Sequence, residues 1–493
     1  MTRLVQIRQG KYQDSVSLMQ VSNKISAHDD VTSALVAMAT PLNVELLIGM
    51  GFQTPDGVSS NEMVIAIEAD SPDAAQAAVA AVDEALAAKP AGSGASGTGF
   101  GPAGSSGSAA KTIGAAARRS QASLALVSTP GSVAAIDAAD ALSAGLDVMI
   151  FSDNVTVQQE IALKDMAAAD GRLVMGPDCG TAVVEGVGLG FANVVRPGRV
   201  GIVAASGTGA QQVLALLDGA GVGVKHCLGV GGRDLSSDVG GRSTIAALDR
   251  LAGDDDISTI LVVSKPPAER VATKVTEHAN QLGKTVVFGY LGAGKPDLTA
   301  TAAAVVATVG SQWKTPERWG STDLEPSTGY LRGLFVGGTL CDEAMLITVD
   351  VFGEVASNIA LAGQPSLDNH LTARAHTFID FGDDRLTVGR PHPMIDPMMR
   401  IERLRAELAD PQCAVVLLDV VLGYGAHPDP ARALAPLIHA TGKPVIVTLI
   451  GTRDDPQGKD ASATTLADAG AIVHASNAAA TREAINLIAG GDR

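Results

Sequence analysis

Two glycine loops carry the residue types that hold an anion. In the first, Arg199 to Val213, an apolar run of strand character breaks into Ser206-Gly207-Thr208-Gly209 and continues as a helix. Glycines permit close approach, hydroxyls add donors, and the first turn of the helix offers unpaired N–H groups, so phosphate or carboxylate is the natural guest. The second loop, Gly337-Gly338-Thr339, follows "LRGLFV" in the same way. Neither has the Gly-x-x-x-x-Gly-Lys-Ser/Thr spacing of a P-loop or the complete Gly-x-Gly-x-x-Gly dinucleotide fingerprint. Such turns can also be purely structural, and it is their repetition that favours a functional reading.

Further polar residues fall at presumed strand ends, where open parallel sheets bind ligands. "GPDCGT" brings Asp178 and Cys179 after an apolar run. Cys179 is a nucleophile only if its pKa is lowered, and otherwise a small packing residue. Arg233 lies in the glycine-rich "GVGGRDLSSDVGG", and Lys265 ends a strand in "SKPP". Each suits an anionic ligand, or else closes an ion pair with a neighbouring acid. "IDFGDDRLTVGRPHPMIDP" concentrates Arg390, His392 and Asp396 between prolines. There Arg390 and His392 could bind an anion or move a proton, with Asp396 orienting the imidazole, unless the segment is a stiff surface turn. Asp419, His427, Thr452, Arg453 and Asp454 occupy other presumed strand ends. No cluster with metal-ligand spacing and no serine-histidine-aspartate order stands out.

The elements that must position these residues alternate short apolar runs with helix-length segments. "LALVST", "DVMIF", "RLVMG", "RVGIVAAS", "ISTILVVS" and "KTVVFGYLG" have the continuous hydrophobicity of parallel strands buried on both faces. The pattern then restarts. Arg199–Val213 matches Leu331–Met345, the run from Asp254 matches that from Asp410, and the run from Gly283 matches that from Gly442. Three matched elements in one order predict duplicated α/β units, hence two similar anion sites. The expected organisation is a small α+β, ferredoxin-like module over 1–88, a Gly/Ser-rich linker over 89–110, a Rossmann-like domain over 111–195 and a phosphate-loop domain over 196–310. A linker over 311–330 and a second α/β domain over 331–493 complete it. Ser71-Pro72-Asp73 predicts a helix start, with serine as N-cap and proline in the first turn.

Composition excludes several classes of function. With 493 residues, 46% hydrophobic and 18% charged, the chain can form two or three domains with substantial cores. A net charge of −17 repels nucleic-acid phosphates and anionic lipid. The N-terminus lacks the apolar block of a signal peptide and no window has the length of a membrane helix, so the expected location is the cytoplasm. Four widely spaced cysteines argue for reduced thiols rather than a disulfide framework or structural zinc.

The motifs "QDSVSLM", "MIFSDNVT", "VMGPDCGT", "FANV", "ASGTG", "GGRDLS", "VSKPPAE", "TVGRPHPMIDP" and "LLDVVLGYGA" resemble the FdrA family across nearly the whole chain. These are acyl-CoA synthetase-like proteins related to succinyl-CoA synthetase. The resemblance implies duplicated Rossmann-like or flavodoxin-like parallel-sheet units, with Ser206, Gly207 and Thr208 lining a phosphate site. Two departures matter. The synthetase carries its phosphoryl group on a histidine after the next strand, whereas no histidine occurs here between His278 and His370. Its supporting glutamate aligns with "SKPP", where Lys265 stands. The CoA-binding loop is also replaced, by "RRSQASLALVSTPGS".

What remains is a phosphate cradle with added positive charge, suited to direct attack of phosphate on an activated acyl or carbamoyl carbon. The resemblance implies a subunit of oxamate carbamoyltransferase, converting oxalurate and phosphate to oxamate and carbamoyl phosphate in purine-ureide nitrogen use. It also implies hetero-oligomer formation with other subunits. In that reading Ser206, Thr208, Arg233 and Lys265 hold phosphate or carbamoyl phosphate, and Arg390 and His392 face a second anion. Gly209, Gly337, Gly338, Thr339, Asp178 and Cys179 complete the expected binding residues. The alternatives are an ADP-forming acyl-CoA ligase, using CoA and a nucleotide, and a non-catalytic scaffold or regulatory subunit.

Overall fold

The computed structural model describes residues 1–9, 13, 15–26, 28–53, 57–87, 110–321, 325–388 and 390–489. The segment 89–110, read as a linker, lies outside them except for its last residue, as do Tyr12 and Asp14. The chain divides into two compact units, Met1–Ser108 with Asp384–Met399 and Ala109–Asp383 with Arg400–Arg493. The turn bearing Arg390 and His392, placed by the sequence within 331–493, therefore groups with the N-terminal module.

That module runs β1 (Thr2–Arg8), α1 (Ser15–Ser26), β2 (Val31–Met38), α2 (Pro41–Gly49), β3 (Met63–Ala69) and α3 (Pro72–Ala87). The sheet order is β1-β3-β2, antiparallel throughout, which is the split β-α-β arrangement of a ferredoxin-like module in three strands. The alternation of β3 explains why helices cover both faces. Met63, Ile65 and Ile67 enter one core with Leu18, Ile25, Val79 and Val82, while Val64 and Ala66 meet Leu47 and Phe52 on the other side. At α3, Ser71 accepts the N–H of Ala74 at 3.1 Å ahead of Pro72, as its sequence signals predict.

The larger unit begins with α4 (Ile113–Ala117), β4 (Leu124–Val127), α5 (Gly131–Ser143), β5 (Asp147–Ile150), α6 (Val157–Ala169) and β6 (Val174–Met175). These strands form a parallel three-stranded sheet. There follow β7 (Thr181–Val184), β8 (Val187–Gly190), β9 (Val200–Ala205), α7 (Gly207–Gly219), β10 (Val224–Gly229), α8 (Arg242–Ala252), β11 (Thr259–Ser264), α9 (Glu269–Ala279), β12 (Thr285–Tyr290) and α10 (Leu298–Thr308). The last third of the chain is β13 (Arg318–Trp319), β14 (Tyr330–Phe335), α11 (Gly338–Phe352), β15 (Ala356–Ser357), β16 (Thr377–Asp380), α12 (Asp384–Thr387), α13 (Met398–Ala409), β17 (Cys413–Val421), α14 (Pro430–His439), β18 (Val445–Ile450), α15 (Lys459–Asp468), β19 (Ile472–His474) and α16 (Asn477–Ala489), of which α12 and the first two residues of α13 fall in the smaller unit.

The repeat is structural. One sheet has the order β12-β11-β9-β10-β7-β8 and the other β13-β19-β18-β17-β14-β16-β15. Numbered from β9, and from β14 with the two-residue β15 left out of the count, both contain the flavodoxin-like sequence 2-1-3-4, with the topological switch point between β9 and β11 and between β14 and β17. The matched sequence elements are β9 with β14, β11 with β17, and β12 with β18. Every residue of β9, β11, β17 and β18 is buried, as strands covered on both faces require. Between the sheets α10 packs on α7, α16 on α11, and α7 on α11. The segment 311–330, expected to be a linker, contributes β13, which pairs antiparallel with β19. Among the described residues no helix is long and apolar enough to cross a membrane.

Candidate functional site

The two glycine loops, expected as two similar anion sites, meet in one junction. Ser206 is the N-cap of α7, in extended conformation, and its Oγ accepts the N–H of Gly209 at 2.9 Å. The same hydroxyl donates to Thr339 Oγ1 at 2.6 Å, across 133 residues of sequence. The two helix N-termini thus face one another, each adding its positive end to the same small volume. Glycine is required there by close approach. A Cβ at Gly337 would lie 2.6 Å from Thr208 Oγ1 and 2.8 Å from its Cβ, and one at Gly338 would lie 2.6 Å from Asp380 Oδ2 and 2.9 Å from Lys265 Nζ.

Lys265 reaches across from the end of β11 to the first turn of α11. Its Nζ lies 3.4 Å from Asp342 Oδ2, and its side chain keeps 37% exposure. Burial works to lower its pKa, but the charges of Asp342 and Asp380 hold it above the ordinary lysine value. Burial raises the pKa of Asp342 against the opposing pull of Lys265, and pushes that of Asp380 up to about 7. The cation and its two acids form one charged cluster beside the paired hydroxyls. Residue type alone does not set Asp342 and Asp380 apart from surface acids, since only their burial beside Lys265 distinguishes them. Asp419 fills another part of the second loop, accepting the N–H of Val336 at 2.8 Å and of Gly337 at 3.0 Å and pairing with Arg400 at 2.9 Å. Burial raises its pKa to about 6. Two donors of that loop are therefore already taken by a carboxylate.

A buried network ties the halves together beside the junction. Glu343 accepts the N–H of Leu298 and the amide of Asn477, both at 2.7 Å, while Asn477 donates its backbone N–H to Gln212 at 3.0 Å. Burial raises the Glu343 pKa to about 7. "FANV" and "IGTRDDP" form a second clasp, with Asn193 and the Val194 N–H each donating to Asp455 at 2.7 Å and Thr452 Oγ1 donating to Val194 O at 2.6 Å.

Several sequence candidates are committed elsewhere. Arg233 binds Glu160 at 3.0 Å and the Val155 carbonyl at 2.8 Å. Glu160 also holds the buried Lys164 at 2.7 Å, and Lys164 holds Asp234 at 2.8 Å. Asp234 in turn accepts the backbone N–H of Ser243 and Thr244. Arg233 is thus the outer member of an ion network that fixes α6 to the loop before α8. Cys179 is 2% exposed and its thiol bonds Thr181 O at 3.5 Å. Burial, then the charge of Asp178, pushes its pKa up to about 12, so it is a packing residue and not a thiolate nucleophile. Asp178 itself is exposed, in left-handed backbone conformation, and its N–H bonds Ser152 O at 3.0 Å.

In the other unit, Arg390 Nη2 lies 3.9 Å from Asp396, and its buried Nη1 has no hydrogen-bond partner among the described residues. His392 Nδ1 accepts the Met394 N–H at 3.2 Å, and burial lowers its pKa to about 4. At neutral pH its single proton therefore sits on Nε2. Asp396 Oδ1 accepts the Met398 N–H at 3.0 Å, capping α13.

Glu185, His226 and Asp254 bring three potential metal-ligand atoms within 4.8 Å of one another. They are already balanced. Lys225 Nζ lies 2.8 Å from Asp254 and 2.9 Å from Asp256, and His226 Nδ1 accepts the Glu185 N–H at 3.2 Å, leaving the Nε2 proton toward the carboxylates.

Comparison with known proteins finds two matching families and several similar chains. The family described as "AllF, heavy metal-associated domain" matches residues 1–99, and the CoA-ligase family matches residues 334–487. Residues 1–99 contain no cysteine and a single histidine, His28, so they lack the thiolate set a soft metal needs. The uncharacterized protein YahF of Escherichia coli (strain K12) is 37% identical over 505 residues, covering 96% of both chains. The succinate–CoA ligase [ADP-forming] α subunit of Methanothermobacter thermautotrophicus is 27% identical over 152 residues, 30% of this chain and 50% of that one. Among solved structures, ATP citrate lyase from Methanothrix soehngenii, in complex with citrate and coenzyme A, is 19% identical with a TM-score of 0.33 over 37% of this chain and 31% of that one.

Proposed function

The chain belongs to the same family as Escherichia coli YahF, and on that premise we propose that it is an acyl-CoA-ligase-like enzyme that joins phosphate to an activated acyl carbon at the α7/α11 junction. The observation that carries this reading is the meeting of two helix N-termini through Ser206 and Thr339 at 2.6 Å, with Lys265 beside them. Preorganised N–H groups, hydroxyls and an ammonium suit a phosphate whose oxygen attacks a carbonyl carbon, because they orient the nucleophile and stabilise the charge on the tetrahedral centre. The bond from phosphate oxygen to carbon forms as the bond to the leaving group breaks, and the leaving group departs with a proton. With CoA as leaving group, acyl-CoA and phosphate give acyl phosphate and CoA. A raised-pKa acid such as Asp380 suits the proton transfer.

A second reading is favoured by one specific feature, the absence of any histidine between His278 and His370, combined with Lys265 where a carboxylate would support a phosphohistidine. Without a phosphoryl carrier on the protein, phosphate enters as a reactant. Oxalurate and phosphate then give oxamate and carbamoyl phosphate, the chemistry suggested by the resemblance to FdrA, in a complex with other subunits. One experiment addresses both readings. The purified chain, alone and with its co-purifying subunits, is incubated with phosphate and either acyl-CoA or oxalurate, and phosphorus NMR follows the products. Acyl phosphate supports the ligase-like reading and carbamoyl phosphate the second. The absence of both from an intact complex refutes the proposed chemistry.

A further inference from the structure

The larger unit contains a cavity of about 470 Å³ that none of the residues discussed so far explains, bounded by α10, β13, β19 and α16. Its volume is that of a small-molecule site. One side is apolar, formed by Trp313, Pro316, Ala300, Ala303 and Ala479. The polar side differs in how firmly its charges are held. Arg318 is fully engaged, with Glu483 at 2.7 Å and the carbonyls of Gly320 and Ser321. His474, buried, points its Nε2 at Glu483 at 2.5 Å. Thr299 and Ser476 bond one another at 2.7 Å. Arg482 is different. Its Nη2 donates to Asp297 at 2.7 Å, its side chain is 55% exposed, and its other N–H groups have no partner among the described residues. A guanidinium has five donors, so Arg482 can bind a further carboxylate without releasing Asp297.

We propose that this cavity binds a small organic carboxylate, with its aromatic or short aliphatic body against Trp313 and its acid group on Arg482. A metal or organic cation is disfavoured because Asp297 is already spent on Arg482 and the Ala300 N–H. A bare inorganic anion would leave the apolar wall uncovered. The site lies at the starts of α10 and α16, apart from the Ser206–Thr339 contact, and its existence does not depend on the reaction proposed there.

The chain has two tryptophans, Trp313 and Trp319, and the W319F variant leaves Trp313 as the reporter. Full-length W319F is titrated with benzoate, benzamide, hexanoate, hexanamide and inorganic phosphate while indole emission is followed. The expected result is a saturable change with both carboxylates, at least tenfold weaker with the amides and absent with phosphate. Adding R482Q should weaken carboxylate binding at least tenfold. Adding A303F, which fills the apolar side, should abolish it while the urea midpoint stays within the range of the parent. Equal binding of acid and amide, binding undiminished by R482Q, or no saturable signal with any carboxylate would overturn the proposal.

Discussion

Replacing Lys265 by methionine removes the only cation seen against Asp342 and Asp380 among the described residues, and the cost can be worked from their surroundings. Both acids are buried, at 6% and 4% exposure, so each relies on Lys265 for compensation that water cannot supply. Breaking a fully buried pair costs about 3–5 kcal/mol. Lys265 is 37% exposed, which admits water and screens part of the interaction, so the expected loss is about 2–3 kcal/mol at pH 8. The pH dependence has a definite sign. Asp380 has its folded pKa raised from 3.8 to about 7, so folding favours its protonated form. Its contribution is fully present below the unfolded value and is lost as pH rises through the folded one. Removing Lys265 raises that folded value further and deepens the loss at high pH. At pH 5.5 Asp380 is mostly protonated and the substitution should cost roughly 1 kcal/mol. Urea denaturation of both proteins at pH 5.5 and 8 measures the difference, and Lys265→Arg should recover most of it. An equal cost at both pH values, or a larger one at pH 5.5, would show that Asp380 does not depend on Lys265 in this way.

Three other outcomes are expected. Gly337→Ala drives a methyl group into Thr208 and should destabilise by about 1–3 kcal/mol, as overpacking does. Adding Thr208→Gly should relieve much of that clash, and the double-mutant cycle should show coupling of at least about 1 kcal/mol. Cys179→Ala should leave catalytic turnover unchanged, and the wild-type thiol should resist a thiol reagent until the protein unfolds, as mass spectrometry of labelled peptides can check. Lys164→Met leaves Glu160 and Asp234 buried without their shared cation and should cost about 3–5 kcal/mol in calorimetry or urea titration. Arg233→Ala, at the exposed edge of the same network, should cost about 1 kcal/mol or less.

The duplicated sheets were legible because each half repeats an apolar strand, a glycine turn and a helix, a pattern imposed by local chain geometry. The N-terminal module was equally readable from strand alternation and the Ser71-Pro72 start. What could not be read was which distant residues meet. Ser206 and Thr339 lie 133 positions apart and come together only because α7 and α11 pack between the two sheets. Arg233 looked available for a ligand because nothing in its own loop announces Glu160, 73 residues away. Asp342 and Asp380 gain their significance from burial beside Lys265, a property of packing that residue type does not reveal. The proline-rich turn with Arg390 and His392 sits late in the chain, yet it groups with the first hundred residues.

The two glycine loops are proposed to form one anion site. Calorimetric titration of the full chain with inorganic phosphate tests it most directly, in wild type, Ser206→Ala and Thr339→Val. One site per chain is expected, weakened at least tenfold by either substitution, because both hydroxyls border the same volume. Two sites per chain, each lost only when its own loop is altered, would contradict it.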